Sequence, residues 1–248
     1  MRLKMIIFWL VALLTLTFIG WVNAGILFED DFEEKSIDMG KWKPSQTWDI
    51  KNGVLEILDN VSDGSSGAAW GFGSKRFTDF ICQMDLQMLS EPASERLDIL
   101  FRADGEENIY SAQLVPNGFP TAAKNHILWY RRNGGRETWK KQKSTKLPFE
   151  LKMDSWYQVR LAVEGFSFEF FIRGENTEGY EMVGTWEDDK ALHAEGTIGF
   201  RTNRLTHVQI DNLIIFESMQ DLSVSPKERL ATTWGKIKRV FNSKKTSF

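Results

Sequence analysis

Between Gly25 and Ser218 the hydrophobic residues recur at every second position in short runs, and a turn signal follows most of these runs. Asn52-Gly53 separates WDIK from VLEIL, Asn133-Gly134-Gly135 separates HILWYRR from RETWKKQ, and Glu164-Gly165 separates WYQVRLAV from FSFEFFI. Alternation with period two is typical of half-buried strands, and such short glycine-containing connections favour hairpin turns. The pattern therefore predicts three antiparallel hairpins.

Further alternating runs predict the remaining strands of the body. They are ILFEDDF, AAWGF, FTDFICQMDLQM, RLDILFRA, NIYSAQLV, YEMVGTW, GTIGFRT and HVQIDNLIIFE. About a dozen strands without a helical pattern between them predict an all-β sandwich of two antiparallel sheets. Ten tryptophans and 18 phenylalanines can supply the thick core that two large sheets enclose.

The final strand carries two polar residues in its centre. Simple alternation predicts one face made of Val208, Ile210, Asn212, Ile214 and Phe216, with Asp211 on the opposite face. Asn212 would then be a buried amide that needs hydrogen-bond partners of its own.

The two ends of the chain differ from this body. Residues 1–24 contain two cations, an uncharged run from Met5 to Val22 and then Val-Asn-Ala, which predicts a secretory signal helix cleaved after Ala24. The alternative is an uncleaved membrane anchor. The body, 25–218, is predicted to be secreted or periplasmic. Residues 219–248 predict a short basic amphipathic helix, which docks on the sandwich, frays in solvent, or binds a membrane surface or partner protein.

Charge and residue usage exclude several classes of site. The body holds 22 cations and 32 acids, a poor electrostatic match for nucleic acid. Cys82 is the single cysteine, so no intrachain disulfide forms, and the three histidines lack metal-ligand spacing. Aromatic and basic residues on strands are the remaining candidates for ligand binding, because tryptophan rings stack on sugars and Arg or Gln donors bind hydroxyls. The predicted ligand-binding face consists of Arg102, Gln113, Trp129, Arg131 and Trp139.

Several motifs follow one another in the order found in a known superfamily. They are DDFE, WDIKNGVLEI, FTDFICQMDLQM, ILFRADGEENIYSAQL, WYQVRLAVEGFSFEFFIRG and GTIGFRTNRLTHVQIDNLIIFE, and they lie within residues 26–217. In this order the chain resembles the concanavalin A-like lectin/glucanase jelly-roll superfamily. Within it, the chain looks most like laminin-G-like domains and 3-keto-disaccharide hydrolases (domain of unknown function 1080) of secreted bacterial proteins.

The resemblance implies a fold, a ligand class and a metal. It implies a jelly-roll sandwich whose first and last strands pair, with a structural calcium ion near that pairing held by Asp31 and Asp211. It also implies a carbohydrate ligand, which leads to a carbohydrate-binding domain as the first hypothesis. A hydrolase of 3-keto-disaccharides or glucosides is the alternative, although Ser111 stands where many hydrolase members have an acid. An adhesion or scaffold module is the second alternative.

Overall fold

Strands make up all of the regular secondary structure in the described part of the chain. The computed structural model describes residues 25–45, 47–58, 69–89, 96–116, 124–139, 144–202 and 206–217, and within these ranges it has sixteen strands and no helix. None of these ranges contains a helix with the length and apolar character that crossing a membrane requires. The predicted signal segment, 1–24, and the predicted helical tail, 219–248, lie outside the described residues.

The chain forms its sixteen described strands one after another, without an intervening helix in the described residues. Along the chain they are β1 (Ile26–Asp30), β2 (Trp42–Pro44), β3 (Trp48–Lys51), β4 (Val54–Leu58), β5 (Ala69–Phe77), β6 (Phe80–Met88), β7 (Leu97–Asp104), β8 (Asn108–Val115), β9 (His126–Asn133), β10 (Arg136–Trp139), β11 (Thr145–Lys146), β12 (Trp156–Glu164), β13 (Ser167–Arg173), β14 (Glu181–Glu187), β15 (Gly196–Thr202) and β16 (His207–Phe216).

These strands form two sheets of eight, in agreement with the predicted all-β sandwich. Sheet A has the order β14-β13-β12-β6-β16-β4-β3, and β1 also pairs with β16. Sheet B has the order β10-β9-β8-β7-β15-β5-β2, and β11 also pairs with β9. The expected pairing of the first and last strands of the body is confirmed by the antiparallel register of β1 and β16.

The three predicted hairpins are present. Asn52 and Gly53, between β3 and β4, both have positive φ, as a two-residue turn that matches the twist of the strands requires. Gly134 and Gly135 join β9 to β10 with positive φ, and Gly165 does so at the turn between β12 and β13. Local sequence therefore determines these pairings.

The main core lies between the two sheets and is rich in aromatic rings. Trp42 is only 1% exposed and packs against the rings of Trp48 and Phe200, at centroid distances of 5.7 and 6.0 Å. The Trp48 ring approaches the backbone of β5 so closely that a Cβ on Gly71 would come within 2.1 Å of it. Each such ring pair contributes about 0.5–1.5 kcal/mol beyond the burial of its surface. A glycine at position 71 is therefore required for this packing.

The last strand does not keep the simple alternation that its sequence predicts. Its register with β6 shifts between Asp211 and Ile214, and Asn212 has a φ of 51°, which marks a β-bulge. The core face consequently continues through Leu213 and Ile215, and the expectation that Asn212, Ile214 and Phe216 share a face with Val208 and Ile210 is wrong. Asn212 is half-buried and not the buried core amide that was expected, and its Nδ2 donates to Asp85 Oδ2 at 2.9 Å.

The outward face of sheet A carries a network of paired polar side chains. Glu56 on β4 accepts a hydrogen bond from Lys51 and another from Gln209 at 3.2 Å, and His207 lies 3.3 Å away. Burial raises the pKa of the Glu56 carboxyl, but the two hydrogen bonds and the His207 charge outweigh it, so this pKa lies below its ordinary value. The ionised carboxylate is therefore stabilised by folding.

Replacement of Glu56 by Gln tests this linkage. A carboxylate with a lowered folded-state pKa contributes stability above its ordinary pKa, and the contribution is lost as the pH falls through the folded-state pKa. Glu56→Gln is expected to lower the Tm by about 2–4 °C at pH 7, which corresponds to roughly 1 kcal/mol for a partly screened pair. The difference should close as the pH falls below the ordinary value of 4.5. Thermal unfolding across pH measures it. Glu169→Gln on the same face serves as the control. A Tm difference between Glu56→Gln and the unaltered protein that persists at low pH would contradict the linkage.

Candidate functional site

A row of five residues crosses the outward face of sheet B, the face turned away from sheet A. The row faces outward because its chain neighbours, such as Leu97 and Ile99, pack in the core between the sheets. Residues paired directly across neighbouring strands share a face. We call these five the floor row; in strand order from β5 to β9 they are Trp70, Arg201, Asp98, Gln113 and Leu128.

The face that carries the floor row is strongly concave. The Arg201 Nη1 on β15 donates to the Tyr130 hydroxyl on β9 at 3.0 Å and lies 2.8 Å from Glu137 Oε1 on β10. In a flat sheet, β15 and β10 would be four strand spacings apart, or about 19 Å. Two side chains can meet across that span only if the sheet curves around them. The outward face of sheet B is therefore a groove, with the floor row on β7 and β8 at its base.

A second contact crosses the same groove. Trp70 on β5 lies under the Arg201 guanidinium, with 4.3 Å from the carbon to the ring centroid, and Arg132 on β9 lies 5.6 Å from the same ring. Two hydrogen bonds hold the Arg132 side chain in place: its Nε donates to the Gly135 carbonyl and its Nη1 donates to the Glu106 carbonyl. Trp70 on one side of the groove and Arg132 on the other therefore meet across it.

The polar atoms at the base of the groove are only partly satisfied. Asp98 is fully buried, and its Oδ1 accepts from Ser111 Oγ at 3.2 Å and from Gln113 Nε2 at 2.6 Å. Asp98 Oδ2, Gln113 Oε1 and Arg201 Nε are also buried, yet none of them has a hydrogen-bond partner. Arg201 Nε lies 3.8 Å from Asp98 Oδ2, which is an ionic contact without a hydrogen bond. The base of the groove therefore presents two unused acceptors and one unused donor.

Burial and charge at this base shift the protonation of its groups. Burial raises the pKa of the Asp98 carboxyl, and the charges of Arg201 and Arg96 oppose this shift without cancelling it. Burial lowers the pKa of the Arg201 guanidinium, but Asp98, Tyr130 and Glu137 outweigh it and raise that pKa, so Arg201 stays charged. The result is a fixed cation beside a carboxylate that is destabilised in its ionised form.

No family model matches the chain, and no curated protein matches it either. Solved structures do match. The carbohydrate-binding module CBM66 from Bacillus subtilis superposes with a TM-score of 0.55 at 17% identity, covering 71% of this chain and 95% of that one. A Bacillus subtilis protein of unknown function with a galectin-like fold gives a TM-score of 0.62 at 15% identity and covers 79% and 97%. Winged bean acidic lectin, complexed with methyl-alpha-D-galactose, gives 0.57 at 10% identity and covers 76% and 96%.

The chain has the jelly-roll fold of these lectins. At such low identities the likeness concerns the fold alone. It agrees with the resemblance to the concanavalin A-like superfamily that the sequence motifs suggest, whereas membership of the 3-keto-disaccharide hydrolase group stays a prediction.

Of the four predicted ligand-binding residues whose side chains the structure describes, one lies at the base of the groove. Gln113 lies in the floor row, as described above. Trp129 is fully buried between the sheets, where it packs against Phe168 and Trp186 at centroid distances of 6.5 and 6.2 Å. The expectation that Trp129 lies on the outward face is therefore corrected, because strand alternation turns its ring into the core.

The two predicted arginines lie in other places in the jelly roll. Arg102 is 2% exposed and pairs with Asp79 at 3.0 Å, beneath the ring of Phe166. Arg131 pairs with the buried Asp188, which also accepts a hydrogen bond from the Tyr110 hydroxyl at 2.6 Å. Burial, followed by this hydrogen bond, raises the pKa of Tyr110 to about 12. Both arginines thus hold structural pairs away from the groove.

Trp139 is placed only by its backbone. Its backbone on β10 pairs with that of Tyr130 on β9, and its side chain is not among the residues that the structure describes.

Sequence reasoning missed most of the residues that form the groove. Asp98 in LDILF and Arg201 in GTIGFRT each occupy an outward position, and each is the single charged residue of its run, which is the signal that could have identified them. Their meeting depends on the pairing of β7 with β15, which joins segments more than 90 residues apart. No local pattern specifies that register.

The two predicted calcium ligands differ in their surroundings. Asp31 is exposed just after β1, and its Oδ1 accepts from the Glu33 amide at 3.3 Å. Asp211 is 4% exposed, and its Oδ1 accepts from the Asn212 amide at 2.8 Å. In the described ranges no group of three or more His, Cys, Asp or Glu residues could hold a metal. Calcium at this point stays a prediction.

Two buried aspartates on opposite faces of the sandwich offer a matched comparison. Asp85 on sheet A accepts from Gln158 Nε2 at 3.0 Å and from Asn212 Nδ2 at 2.9 Å, one donor on each oxygen. In Asp85→Asn the new amide NH2 group would face one of these two donors. We expect this to lower the free energy of unfolding by about 1–3 kcal/mol. Its Tm should therefore fall by several degrees.

Asp98→Asn is expected to behave in the opposite way. An acid with a raised folded-state pKa destabilises the fold above its unfolded-state pKa, and the penalty disappears as the pH falls below that value. Asp98→Asn should therefore raise the Tm at pH 7, by about 2–4 °C for each kcal/mol recovered, and leave it unchanged below the ordinary pKa of 3.8. Thermal unfolding of both variants at pH 7 and pH 3 measures this. A lower Tm for Asp98→Asn at pH 7 would show that the carboxylate stabilises the fold.

Proposed function

We propose that the groove of sheet B binds carbohydrate. The observation that carries the proposal is the set of three buried, unused polar atoms at its base: Asp98 Oδ2, Gln113 Oε1 and Arg201 Nε. A buried polar atom without a partner costs about 1–3 kcal/mol, so a native fold that retains three together has a reason to keep them. Sugar hydroxyl groups donate and accept hydrogen bonds at once and therefore complement a set with both kinds of atom.

The kind of unused atom favours a neutral sugar. Gln113 Nε2 already donates to Asp98 Oδ1, so a rotated amide would bring Oε1 against the carboxylate, and Oε1 is therefore fixed as the free acceptor. The Arg201 charge is matched by Asp98 and Glu137. A carboxylate or sulfate on the ligand would face two acceptors at the base, whereas adjacent hydroxyl groups would donate to them.

The wall of the groove supports the same proposal. Trp70 is half-buried beside Phe72, with a ring separation of 6.0 Å and an interplanar angle of 17°. An aromatic surface next to hydrogen-bonding groups is the usual arrangement for a ligand with apolar faces and polar edges, and a sugar ring has this character. The known ligand class of two of the similar structures, a carbohydrate-binding module and a lectin complexed with a galactoside, adds support to the proposal.

Substitution of Asp98 tests the proposed site. In Asp98→Asn the remaining carbonyl oxygen keeps the hydrogen bonds from Ser111 and Gln113, so an amide donor replaces the free acceptor. Loss of one charged hydrogen bond corresponds to at least about a tenfold loss of affinity. The full chain and this variant would be measured by calorimetry against a panel of neutral oligosaccharides and of uronate- and sulfate-bearing polysaccharides.

Asp85→Asn is the matched control, because it changes a buried aspartate on the other sheet and should leave affinity within about twofold. The proposal fails if no glycan binds, or if Asp98→Asn binds as tightly as the unaltered chain. The same samples incubated with 3-keto-glucosides distinguish the hydrolase alternative, since turnover would identify an enzyme.

Binding should also depend on pH through Asp98. In the free protein the pKa of this carboxyl is raised, and a hydroxyl group that donates to Oδ2 stabilises the ionised form. Binding then releases a proton, so affinity should rise as the pH increases through the free-state pKa and become constant above it. Titrations between pH 4 and pH 8 measure this rise. The profile should be flat for Asp98→Asn, and an identical profile in both proteins would assign the titration to another group.

A further inference from the structure

We infer that the basic C-terminal segment, 219–248, packs on the outward face of sheet A and covers an apolar cluster there. This face lies on the other side of the sandwich from the groove, so the two surfaces can be tested separately. Four observations lead to it: the burial of the face, the point at which the chain leaves it, the apolar stripe of the segment, and the charges on both.

An apolar row crosses the outward face of sheet A at the end where β16 stops. Ile81 on β6 pairs with Phe216 on β16, and these two residues pair in turn with Ala162 on β12 and Ile26 on β1. Together with Ile214 they form a cluster that is separate from the core between the sheets. We call these five residues the outer cluster.

The outer cluster is buried although it faces away from the core. Phe216 is 0% exposed and Ile81 is 3% exposed. Side chains stand out from a sheet, so their neighbours within the sheet shield them from the sides and leave their outer ends open to water. All described strands belong to sheets A and B, so no described strand lies over this cluster. The cover has to come from another part of the chain or from a partner.

The burial continues along the central strand of the face. All four outward side chains of β6 are at most 9% exposed: Ile81, Gln83, Asp85 and Gln87. Glutamine and aspartate on a solvated sheet face are ordinarily exposed. Six residue steps of a strand span about 20 Å, so the cover is elongated and follows β6.

Both ends of the sandwich domain lie beside the outer cluster. Ile26 pairs with Phe216, and the Glu217 amide donates to the Gly25 carbonyl at 2.9 Å. The chain therefore enters and leaves the sandwich at this point, and the C-terminal segment begins next to the cluster that it would cover. Residues 1–24 end at the same point, but their sequence predicts that they are removed as a signal.

The C-terminal segment has an apolar stripe that suits such a surface. The stripe consists of residues spaced four, three and four positions apart, which lie on one face of a helix: Leu230, Trp234, Ile237 and Phe241. A helix from Pro226 to Phe241 would be about 24 Å long, close to the length of the buried face along β6. Short helices gain most of their stability in proteins by packing their apolar face, so this stripe needs a partner surface.

The charges of the two surfaces are complementary. The C-terminal segment holds seven Lys or Arg residues against two Asp or Glu residues, whereas the body is net negative. Carboxylates flank the outer cluster, since Glu29 pairs with Ile214 and Glu169 pairs with Ala162. Long basic side chains beside the stripe could reach these carboxylates while the stripe covers the apolar row. An anionic membrane would also accept a basic amphipathic helix, but it would not account for the burial of the outer cluster within a single chain.

Disulfide formation between the segment and the sheet tests this arrangement. Cys82 is fully buried, and burial raises the pKa of its thiol, so introduced cysteines would be the reactive ones. Ala162→Cys in the full chain would be combined with cysteine at each of the four stripe positions in turn. Because a disulfide requires Cα atoms about 4–7 Å apart, a bond within one chain reports that the stripe lies on the outer cluster.

Thr197→Cys, at a half-buried position on the outward face of sheet B, provides the matched control with the same four partners. At least one stripe position is expected to bond with Ala162→Cys about tenfold faster or more than with Thr197→Cys, because docking raises the effective concentration of the thiols. Equal rates on both faces, or no bond within one chain from any stripe position, would overturn the inference.

Two further outcomes would assign the cover elsewhere and overturn the inference as well. A disulfide between two chains would identify a second copy as the cover. Mass spectrometry of the purified protein shows whether residues 1–24 are retained. If they are, a faster bond between Leu14→Cys and Ala162→Cys than from any stripe position would identify the N-terminal segment as the cover.

Removal of the stripe should also destabilise the fold. Trp234→Ser combined with Phe241→Ser removes two large rings from the cover and is expected to lower the Tm by about 4–8 °C. Val240→Ser is the matched control, because it makes the same kind of change about 100° around the helix from Phe241, and it should shift the Tm by less than about 2 °C. An unchanged Tm in the double variant would show that the stripe does not pack on the body.

Vesicles distinguish the membrane alternative. The full chain and the Trp234→Ser, Phe241→Ser variant would be sedimented with vesicles of phosphatidylserine and phosphatidylcholine. A docked segment predicts equal partitioning of the two proteins and a disulfide rate that vesicles leave unchanged. Sedimentation that depends on Trp234 and Phe241, together with a loss of the disulfide, would show that the segment binds membranes and would overturn the inference.

Discussion

The curvature of sheet B is the constraint on which the site depends. Without it, Arg201 could not reach Glu137 four strands away, and Asp98 would lie on an open, hydrated surface. Two features of the fold produce the curvature. Register shifts in β7 and β15 bend these central strands, as β-bulges do. Gly71 on the core side and Gly199 on the outward side allow close approach of β5 and β15: a Cβ on Gly199 would lie 2.3 Å from the Gly71 carbonyl oxygen. The core and the groove are thus two sides of one bent sheet.

The buried carboxylates on the two outward faces of the sandwich differ in how completely they are hydrogen-bonded. On sheet A, Asp85 and Glu56 accept hydrogen bonds from neutral and cationic side chains, and both oxygens of each carboxylate are used. On sheet B, Asp98 is more deeply buried and uses one oxygen only. A network that is complete stabilises the fold, whereas an incomplete one costs free energy that only a ligand or water can recover. Among these three carboxylates, Asp98 alone retains an oxygen without a hydrogen bond.

Sequence patterns predicted the fold better than the site, and the reason is the range over which each is specified. The turn at Asn52-Gly53 depends on two adjacent residues, so its hairpin follows from local sequence. At the bulge at Asn212, local alternation no longer predicts the face of each residue, because one extra residue moves Ile214 and Phe216 to the other face. Trp129 and Gln113 were both plausible surface residues, but only the position of the core separates them. The floor row joins positions from 70 to 201, and its register is fixed by long-range pairing alone.

An arginine at position 201 satisfies requirements that a lysine could not meet together. Its Nη1 donates to Tyr130 and Glu137, its Nε faces Asp98, and its flat face lies over Trp70. The planar guanidinium offers several donors in fixed directions and stacks on aromatic rings, whereas an ammonium group is a compact, strongly hydrated charge. The Arg201 guanidinium crosses the groove and also contributes the donor without a partner, Nε. A ligand that accepts a hydrogen bond from this Nε would therefore contact the same side chain that holds the groove in shape. Recognition and closure of the groove are therefore coupled through a single side chain.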